Sequence, residues 1–134
     1  MKRYLFDTNA CIAMMRENAG VLSRIREVGM ESLCLCAQVK AELWFGACKS
    51  QRVAENQARL RLFFNDLPSV PFDDSAAERC GEIRAFLARR GTPIGPYDLQ
   101  IAAIALANGL TLVTNNTHEF ERVPGLVIED WQQA

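Results

Sequence analysis

The sequence predicts an α/β fold, with a parallel sheet of about four to five strands and helices on both faces. Short apolar runs of strand length alternate along the chain with longer stretches whose apolar residues recur every three or four positions. This alternation is typical of parallel strands joined by right-handed helical crossovers. Two polar clusters, at 7–9 and 114–119, follow apolar runs directly. Both are expected at the carboxyl edge of the sheet, where open α/β sheets bind ligands.

The first half of the chain supplies two predicted strands and four predicted helices. The clearest helical period is the recurrence of Val21, Ile25 and Val28. The last of the four helices must end before Pro68, because proline cannot continue the helical hydrogen bonding. In chain order, the elements are a strand at 4–6, helices at 9–16 and 21–28, a strand at 32–36, and helices at 38–49 and 53–67.

The second half begins with a weaker strand and contains the best-marked helix. Ser75-Ala76-Ala77-Glu78 has the form of a capping box, with Ser75 as the N-cap, and Gly91 marks the end of that helix. Gly109 ends the next helix in the same way. In order, the elements are a strand at 69–72, a helix from 75 to Gly91, a rigid loop at 91–96, a helix at 97–108 and strands at 110–114 and 126–128.

Length and composition indicate one globular domain spanning 1–134. The 134 residues are 49% hydrophobic and 23% charged, which is the balance of an ordinary folded protein. No apolar run approaches the roughly 18 residues of a membrane span, and the apolar stretch before Asp7 is too short for a signal-peptide core. The expectation is a cytoplasmic protein without a membrane contact.

Five cysteines, an odd number, are embedded mostly in apolar runs. Buried reduced thiols are therefore favoured over disulfides or a metal site.

The formal net charge of −1 gives no general attraction to nucleic acid. Any nucleic-acid surface must be local. One basic cluster, around Glu55, is either such a surface or a solvated helix face. It consists of Lys49, Arg52, Arg59 and Arg61.

Three acids on or beside apolar faces carry the functional argument. Taken singly, Asp7 suits a helix cap, Glu42 a solvated boundary and Asp98 the positive end of a helix. Brought to one end of one sheet, the three would repel each other unless a divalent cation lay between them. Mg²⁺, or Mn²⁺ as the alternative, fits carboxylate oxygens, whereas the single histidine, His118, offers no pair for zinc. Such a site suits phosphodiester hydrolysis, because these cations activate water and neutralise phosphate.

Four motif blocks in order carry a resemblance over nearly the whole chain. They are Leu5-Phe6-Asp7-Thr8-Asn9, Ala41-Glu42-Leu43, Gly91-Thr92-Pro93-Ile94-Gly95-Pro96-Tyr97-Asp98 and Thr114-Asn115-Asn116-Thr117-His118-Glu119-Phe120. Together they resemble the motifs of PIN-domain ribonucleases, and more narrowly those of the VapC toxins of type II toxin–antitoxin pairs. The resemblance implies a single PIN-like domain acting as a magnesium-dependent endoribonuclease. Such enzymes inhibit translation by cutting structured RNA, such as tRNA, in a single-stranded loop.

The resemblance also assigns the site. Asp7, Glu42 and Asp98 match the family's invariant acids and metal ligands, with Asp7 and Asp98 the surest metal contacts. The position of the fourth acid holds Asn116, whose amide oxygen can bind a metal or a water but carries no charge. Glu119, one turn later, is the alternative source of that charge. For Asn115-Asn116 together, a turn with a helix cap is the structural alternative to a site role. Supporting positions beside the site are Thr8, Asn9 and Thr114.

The resemblance further implies a homodimer that is held inactive by a cognate antitoxin, with operator DNA contacted only through that antitoxin. The antitoxin's tail is expected in a groove beside the acids. Trp44 and Phe45, directly after Glu42, are predicted to form this groove, with core packing as the competing role.

Two other protein classes share features with this chain, the first an initial apolar strand with an aspartate and the second a similar length and layering. A haloacid-dehalogenase-type phosphatase requires a second acid two residues on, where this chain has Asn9. A phosphoacceptor receiver domain requires a lysine at the end of the 110–114 strand, and none is suitable. The remaining alternative is a catalytically weak or inactive PIN domain that acts as an antitoxin-binding co-repressor at operator DNA.

Overall fold

The computed structural model describes residues 2–132 and contains a four-stranded sheet in which all strands are parallel. The strand order is β2-β1-β3-β4. The strands are β1 (Tyr4–Phe6), β2 (Leu33–Cys34), β3 (Thr111–Val113) and β4 (Ile128–Glu129). In the central register, Tyr4 lies opposite both Leu33 and Thr111. The predicted fold class is confirmed. The predicted domain limits fall on Met1 and Ala134, which lie outside the described residues.

Seven helices connect these strands in the described residues. They are α1 (Thr8–Met15), α2 (Ala19–Val28), α3 (Ala37–Cys48), α4 (Val53–Asn65), α5 (Asp74–Arg89), α6 (Pro96–Ala107) and α7 (Thr117–Phe120), and a single 3-10 turn spans Met30–Ser32. The six longer helices confirm the predicted ones to within two residues at each end. The short α7 lies in the polar cluster at 114–119, and Asn116 is its N-cap residue, although the Asn116 side chain forms no capping hydrogen bond.

The predicted strand at 69–72 is wrong. Only Ser69 pairs with the sheet, through a single parallel bridge to Leu35. Pro68 and Pro71 flank this bridge, and because proline has no N–H group it cannot extend the ladder.

Three boundaries also move. The capping-box prediction is wrong about Ser75, because the N-cap of α5 is Asp73, whose Oδ1 accepts a hydrogen bond from the Ala76 backbone at 3.0 Å. The strand predicted at 32–36 is shortened because Ser32 belongs to the 3-10 turn. The last strand is shifted from 126–128 to Ile128–Glu129.

The strand order creates a switch point between β1 and β3. The chain moves from β1 to β2 on one side and then crosses back over β1 to reach β3. Because parallel crossovers are right-handed, this reversal places the two sets of connecting helices on opposite faces of the sheet. Asp7 and Thr114 directly follow the two strands at the switch, where α/β sheets hold their ligands.

The core continues from the sheet into α6, in which residues 101–105 are all buried. Trp131 closes the other end, with its ring edge-on to Tyr4 at 5.0 Å and to Phe6 at 5.2 Å. Its indole nitrogen donates to Glu129 at 2.8 Å. The C-terminal segment is thereby fixed to β1, the strand that carries Asp7.

All five cysteines are free, as predicted. The predicted burial is confirmed for Cys11, Cys34 and Cys36, whereas Cys48 is exposed and Cys80 is half-buried. Across residues 2–132, no helix has the length and apolar character needed to cross a membrane.

Candidate active site

Asp7 is fixed at the end of β1 by its backbone and its side chain. Its N–H donates to the carbonyl of Val113 at 3.1 Å, and its Oδ1 accepts from the backbone of Ala10 at 2.8 Å as the N-cap of α1. The side chain is only 6% exposed. Burial raises the pKa of Asp7, as does the charge of Glu42, while hydrogen bonds from Thr114 and Ala10 oppose the rise. The predicted helix-cap role of Asp7 is confirmed, and the same carboxylate lies at the switch point of the sheet.

Glu42 reaches the site from α3, the helix that follows β2. It is exposed, and its Oε2 accepts a hydrogen bond from the hydroxyl of Thr8. Because Thr8 follows Asp7 in the chain, this bond ties the second acid to the first. A supporting role for Thr8 thus has a concrete basis.

Asp98 enters from the first turn of α6. Pro96 occupies the first helical position and Gly95 precedes it, so the rigid loop predicted at 91–96 sets the direction of the helix. Burial raises the pKa of Asp98 to about 7, together with the charge and hydrogen bond of Glu119 and the charges of Asp7 and Glu42. The pKa of Asp98 is therefore raised by all three neighbouring acids, Glu119, Asp7 and Glu42, in addition to burial.

Asn116 and Glu119 form a bonded pair beside Asp98. The Asn116 amide donates to Glu119 Oε2 at 2.9 Å, and the Gly95 backbone donates to Oε1 at 3.2 Å. Burial alone would raise the pKa of Glu119, but these hydrogen bonds, with that from Asp98, bring it below its ordinary value. Thr114 completes the network by accepting from the Asn116 backbone at 2.9 Å. Glu119 thus connects α7 to the loop before α6.

The predicted residues converge on one cleft of about 220 Å³ at the switch point. Its lining comprises Asp7, Thr8, Asn9, Glu42, Asp98, Ile101 and Asn116. Of the other predicted residues, Thr114 bonds Asp7 and Glu119 bonds Asn116. The arrangement places three carboxylates and two amides around one small volume.

One residue of the cleft, Ile101, was missed from the sequence, and the contact made by Asn115 of the fourth motif block was not predicted. Ile101 forms an apolar wall of the cleft, and its position three residues after Asp98 in α6 was the available signal. Asn115 accepts a hydrogen bond from the Asn9 amide at 3.3 Å, joining the ends of β1 and β3. No local pattern in the sequence marks that contact, because it depends on the pairing of two distant strands.

Trp44 and Phe45 lie outside this cleft. Phe45 is 64% exposed, with the Lys49 ammonium 4.8 Å from its ring centre, and Trp44 is half-buried beneath Arg61 at 5.1 Å. The groove that adjoins the acids is lined by other residues of α3. A role for Trp44 and Phe45 in binding an antitoxin stays a prediction.

The donor set of the cleft fits a hard divalent cation. Carboxylate and amide oxygens are the ligands that Mg²⁺ and Mn²⁺ prefer. Burial and the neighbouring carboxylates raise the pKa of Asp98, and a cation held beside it would favour the ionised carboxylate. Among residues 2–132, no three His, Cys, Asp or Glu side chains are already gathered as a metal site. Glu42 is instead bonded to Thr8 and Glu119 to Asn116.

A four-stranded parallel sheet with acids at its switch point is the arrangement of a PIN domain, and the family model "PIN domain" matches residues 4–126. Over 131 residues the chain is 40% identical to the tRNA(fMet)-specific endonuclease VapC of Salmonella typhimurium, covering 98% of this chain and 99% of that protein. The chain therefore belongs to the VapC proteins of the PIN-domain family.

Solved structures agree with this assignment. The fold superposes with a TM-score of 0.90 on a chain of the DNA-bound VapBC crystal structure from Salmonella typhimurium, at 41% identity and covering 98% of this chain and 99% of that one. A chain of VapBC2 from Rickettsia felis, crystallised with a DNA fragment from the VapBC2 promoter, gives a TM-score of 0.86 at 34% identity, covering 96% and 98%. The resemblance predicted from the four motifs is confirmed.

Proposed function

We propose that this protein is the toxin of a toxin–antitoxin pair and acts as a magnesium-dependent endoribonuclease. The observation that carries the proposal is the convergence of Asp7, Glu42 and Asp98 on one cleft at the switch point of the sheet. Three carboxylates and the amides of Asn9 and Asn116 line that cleft, and a bound cation would relieve the repulsion between the carboxylates. A hydrolase acting on a phosphodiester makes use of both properties.

Asp7 and Asp98 are the residues we assign to hold Mg²⁺, with Glu42 as a third donor and Asn116 as a neutral one. When bound, the cation supplies water activation and neutralises the charge of the phosphate. The chain's own contribution is orientation, because the Ala10 backbone fixes Asp7 and the Thr8 hydroxyl fixes Glu42. Mn²⁺ is the alternative cation, since it takes the same oxygen donors.

Glu119 acts differently in this proposal. Both of its oxygens are already engaged, one by Asn116 and one by the Gly95 backbone. It therefore braces the loop that positions Asp98, and the protonated Asp98 carboxyl donates a hydrogen bond to it. Because metal ligands must be deprotonated, Asp98 would have to lose that proton to hold a cation.

The substrate we assign is structured RNA, with initiator tRNA as the first choice. This choice rests on the relative named as a tRNA(fMet)-specific endonuclease, which matches nearly the whole of this chain. Cleavage of initiator tRNA would stop translation at its first step. The small open cleft suits an unpaired nucleotide better than a duplex, whose bases are stacked out of reach.

The partners we assign are a cognate antitoxin and a second copy of this chain. The solved neighbours are VapBC complexes, two of them bound to DNA. Contact with operator DNA would pass through the antitoxin, since the chain itself has a net charge of −1.

The decisive experiment compares wild type with Asp7→Asn on an initiator tRNA transcript. Cleavage by wild type should require Mg²⁺, stop in EDTA, and fall by at least about a hundredfold in Asp7→Asn, because a buried ligand charge is lost. Asp66→Asn, at an exposed acid after α4, is the matched control and should cleave normally. Equal cleavage by wild type and Asp7→Asn would refute the nuclease assignment.

The second function is that of a co-repressor, which the DNA-bound VapBC neighbours favour. In this case the chain would tighten binding of its antitoxin to operator DNA, and Asp7→Asn would do so as well as wild type. If wild type leaves every tested RNA intact yet tightens operator binding, the co-repressor function stands alone.

A further inference from the structure

A second groove opens directly from the catalytic cleft. It has a volume of about 320 Å³ and runs between α1, α3 and α4. Thr8 and Glu42 line both the groove and the cleft, so the two spaces are continuous. A strand whose reactive phosphate lies at the acids must leave the cleft on either side of that phosphate. The groove is therefore a ready exit for the adjoining nucleotide.

Two arginines line this groove without an acidic partner. Arg16 follows α1 and Arg59 lies on α4, and both are exposed. Within residues 2–132, neither guanidinium forms an ion pair, in contrast to Arg52, which lies 3.5 Å from Glu55. Their charge is thus available to a ligand.

The basic cluster singled out in the sequence is divided by the fold. Of its four members, only Arg59 lines the groove. Lys49 lies over Phe45 and Arg61 over Trp44, while Arg52, the N-cap of α4, pairs with Glu55 in the first turn of that helix. Arg16, which the sequence did not group with them, lines the same groove as Arg59 because α1 and α4 both pack against α3.

We infer that this groove binds the RNA strand next to the cleaved bond, with Arg16 and Arg59 contacting its phosphates. The inference rests on the proposed ribonuclease function and adds the path of the substrate. Charge complementarity supports RNA as the occupant: the acidic cleft repels phosphate, whereas the adjoining groove carries two arginines that form no ion pair within residues 2–132. The apolar floor, which includes Ile12, Met15 and Leu60, offers a surface for the face of a base.

The charge test measures binding of a labelled initiator tRNA transcript in EDTA, where cleavage is stopped. Arg16→Ala and Arg59→Ala should each weaken binding about five- to tenfold. Each should also reduce the slope of log affinity against log salt by about 0.7, the value for one lost phosphate contact on a single strand. Arg26→Ala and Arg52→Ala, at exposed arginines outside the groove, are the matched controls.

A steric test leaves the charge unchanged. Gly46 lines the groove from α3, and a Cβ at this position would meet nothing within 4 Å. Gly46→Leu should therefore fold, fill the groove, and weaken RNA binding at least about tenfold with the salt slope unaltered. Gly81→Leu, at a helical glycine of α5 with equal space, is the control and should bind normally.

The outcomes separate this inference from the proposed function. If wild type cleaves the tRNA but the groove variants bind it like their controls, the inference is overturned and an apolar peptide becomes the occupant of the groove. If wild type neither binds nor cleaves RNA, both the proposed ribonuclease function and the inference about the groove are refuted. Selective loss of binding in Arg16→Ala, Arg59→Ala and Gly46→Leu supports the RNA path.

Discussion

Replacing Asp98 by asparagine should stabilise the metal-free protein while abolishing cleavage. The pKa of Asp98 is raised from 3.8 to about 7, first by burial and then by the charge of Glu119. An acid whose pKa is higher in the folded state destabilises the fold once it ionises. This cost is absent at low pH, grows as the pH rises above 3.8, and is complete above about 7. Asparagine keeps the shape of the side chain and removes the charge.

The size of the stabilisation expected from Asp98→Asn follows from the shift in the pKa of Asp98. Without solvent screening, a rise in the pKa of Asp98 from 3.8 to about 7 would lower the free energy of unfolding by about 4 kcal/mol above pH 7. Asp98 is only half-buried, however, so water screens its interactions with the other acids. We therefore expect Asp98→Asn to raise the free energy of unfolding by about 1–2 kcal/mol at pH 8.5. In a chain of this length that is an increase of about 3–8 °C in Tm.

The assay is urea and thermal unfolding in EDTA at several pH values between 4 and 8.5. The gain of Asp98→Asn over wild type should shrink as the pH falls from about 7 toward 4, because wild-type Asp98 then binds its proton. Asp74→Asn is the matched control, since Asp74 occupies the first turn of α5 and is exposed. That change should cost a few tenths of a kcal/mol through the helix dipole.

Added Mg²⁺ should reverse the order, because a cation bound between the acids stabilises wild type more than Asp98→Asn. An Asp98→Asn protein that is no more stable than wild type at pH 8.5 in EDTA would refute the electrostatic account of the cleft. A gain in stability of Asp98→Asn that does not depend on pH would also refute this account.

Three further changes test other parts of the structure. Asn116→Asp replaces the donor to Glu119 by a like charge, so it should lower stability in EDTA by about 1–2 kcal/mol and increase the stabilisation by Mg²⁺ in thermal melts. Glu129→Gln weakens the bonds from Trp131 and Arg24 that lower the pKa of Glu129. It should cost about 1 kcal/mol in urea unfolding at pH 7, and the loss should fade as the pH drops below 4.5, where wild type also loses the charge. Trp131→Ala empties the end of the core and should cost about 3–5 kcal/mol at any pH, whereas a loss below 1 kcal/mol would contradict the packing described for its ring.

The sequence by itself determined the parts of this protein that depend on neighbouring residues. The apolar run before Asp7 marks a buried strand, and the acid that follows must lie at its carboxyl end. The helices were located by their period and by Gly91 and Gly109, both of which have positive φ values in the structure. The motif blocks gave the family, and with it the identities of the principal acids.

Local sequence signals predicted the wrong element where two neighbouring residues could each cap a helix, and where prolines flank a strand-like run. Ser75 has the sequence form of a cap, but Asp73 provides the hydrogen bond to Ala76 and the helix begins earlier. Ser69 begins a run that resembles a strand, but it forms only one bridge to the sheet, because Pro68 and Pro71 flank the bridge.

Only the tertiary structure decided which distant groups meet. The strand order β2-β1-β3-β4 sets the switch point and brings Glu42 and Asp98 to Asp7. It also joins Asn9 to Asn115. The packing of both α1 and α4 against α3 places Arg16 and Arg59 in the lining of one groove. Periodicity specifies the buried face of a helix but not the position of that helix around the sheet. That position depends on contacts between residues far apart in the chain, which no local pattern encodes.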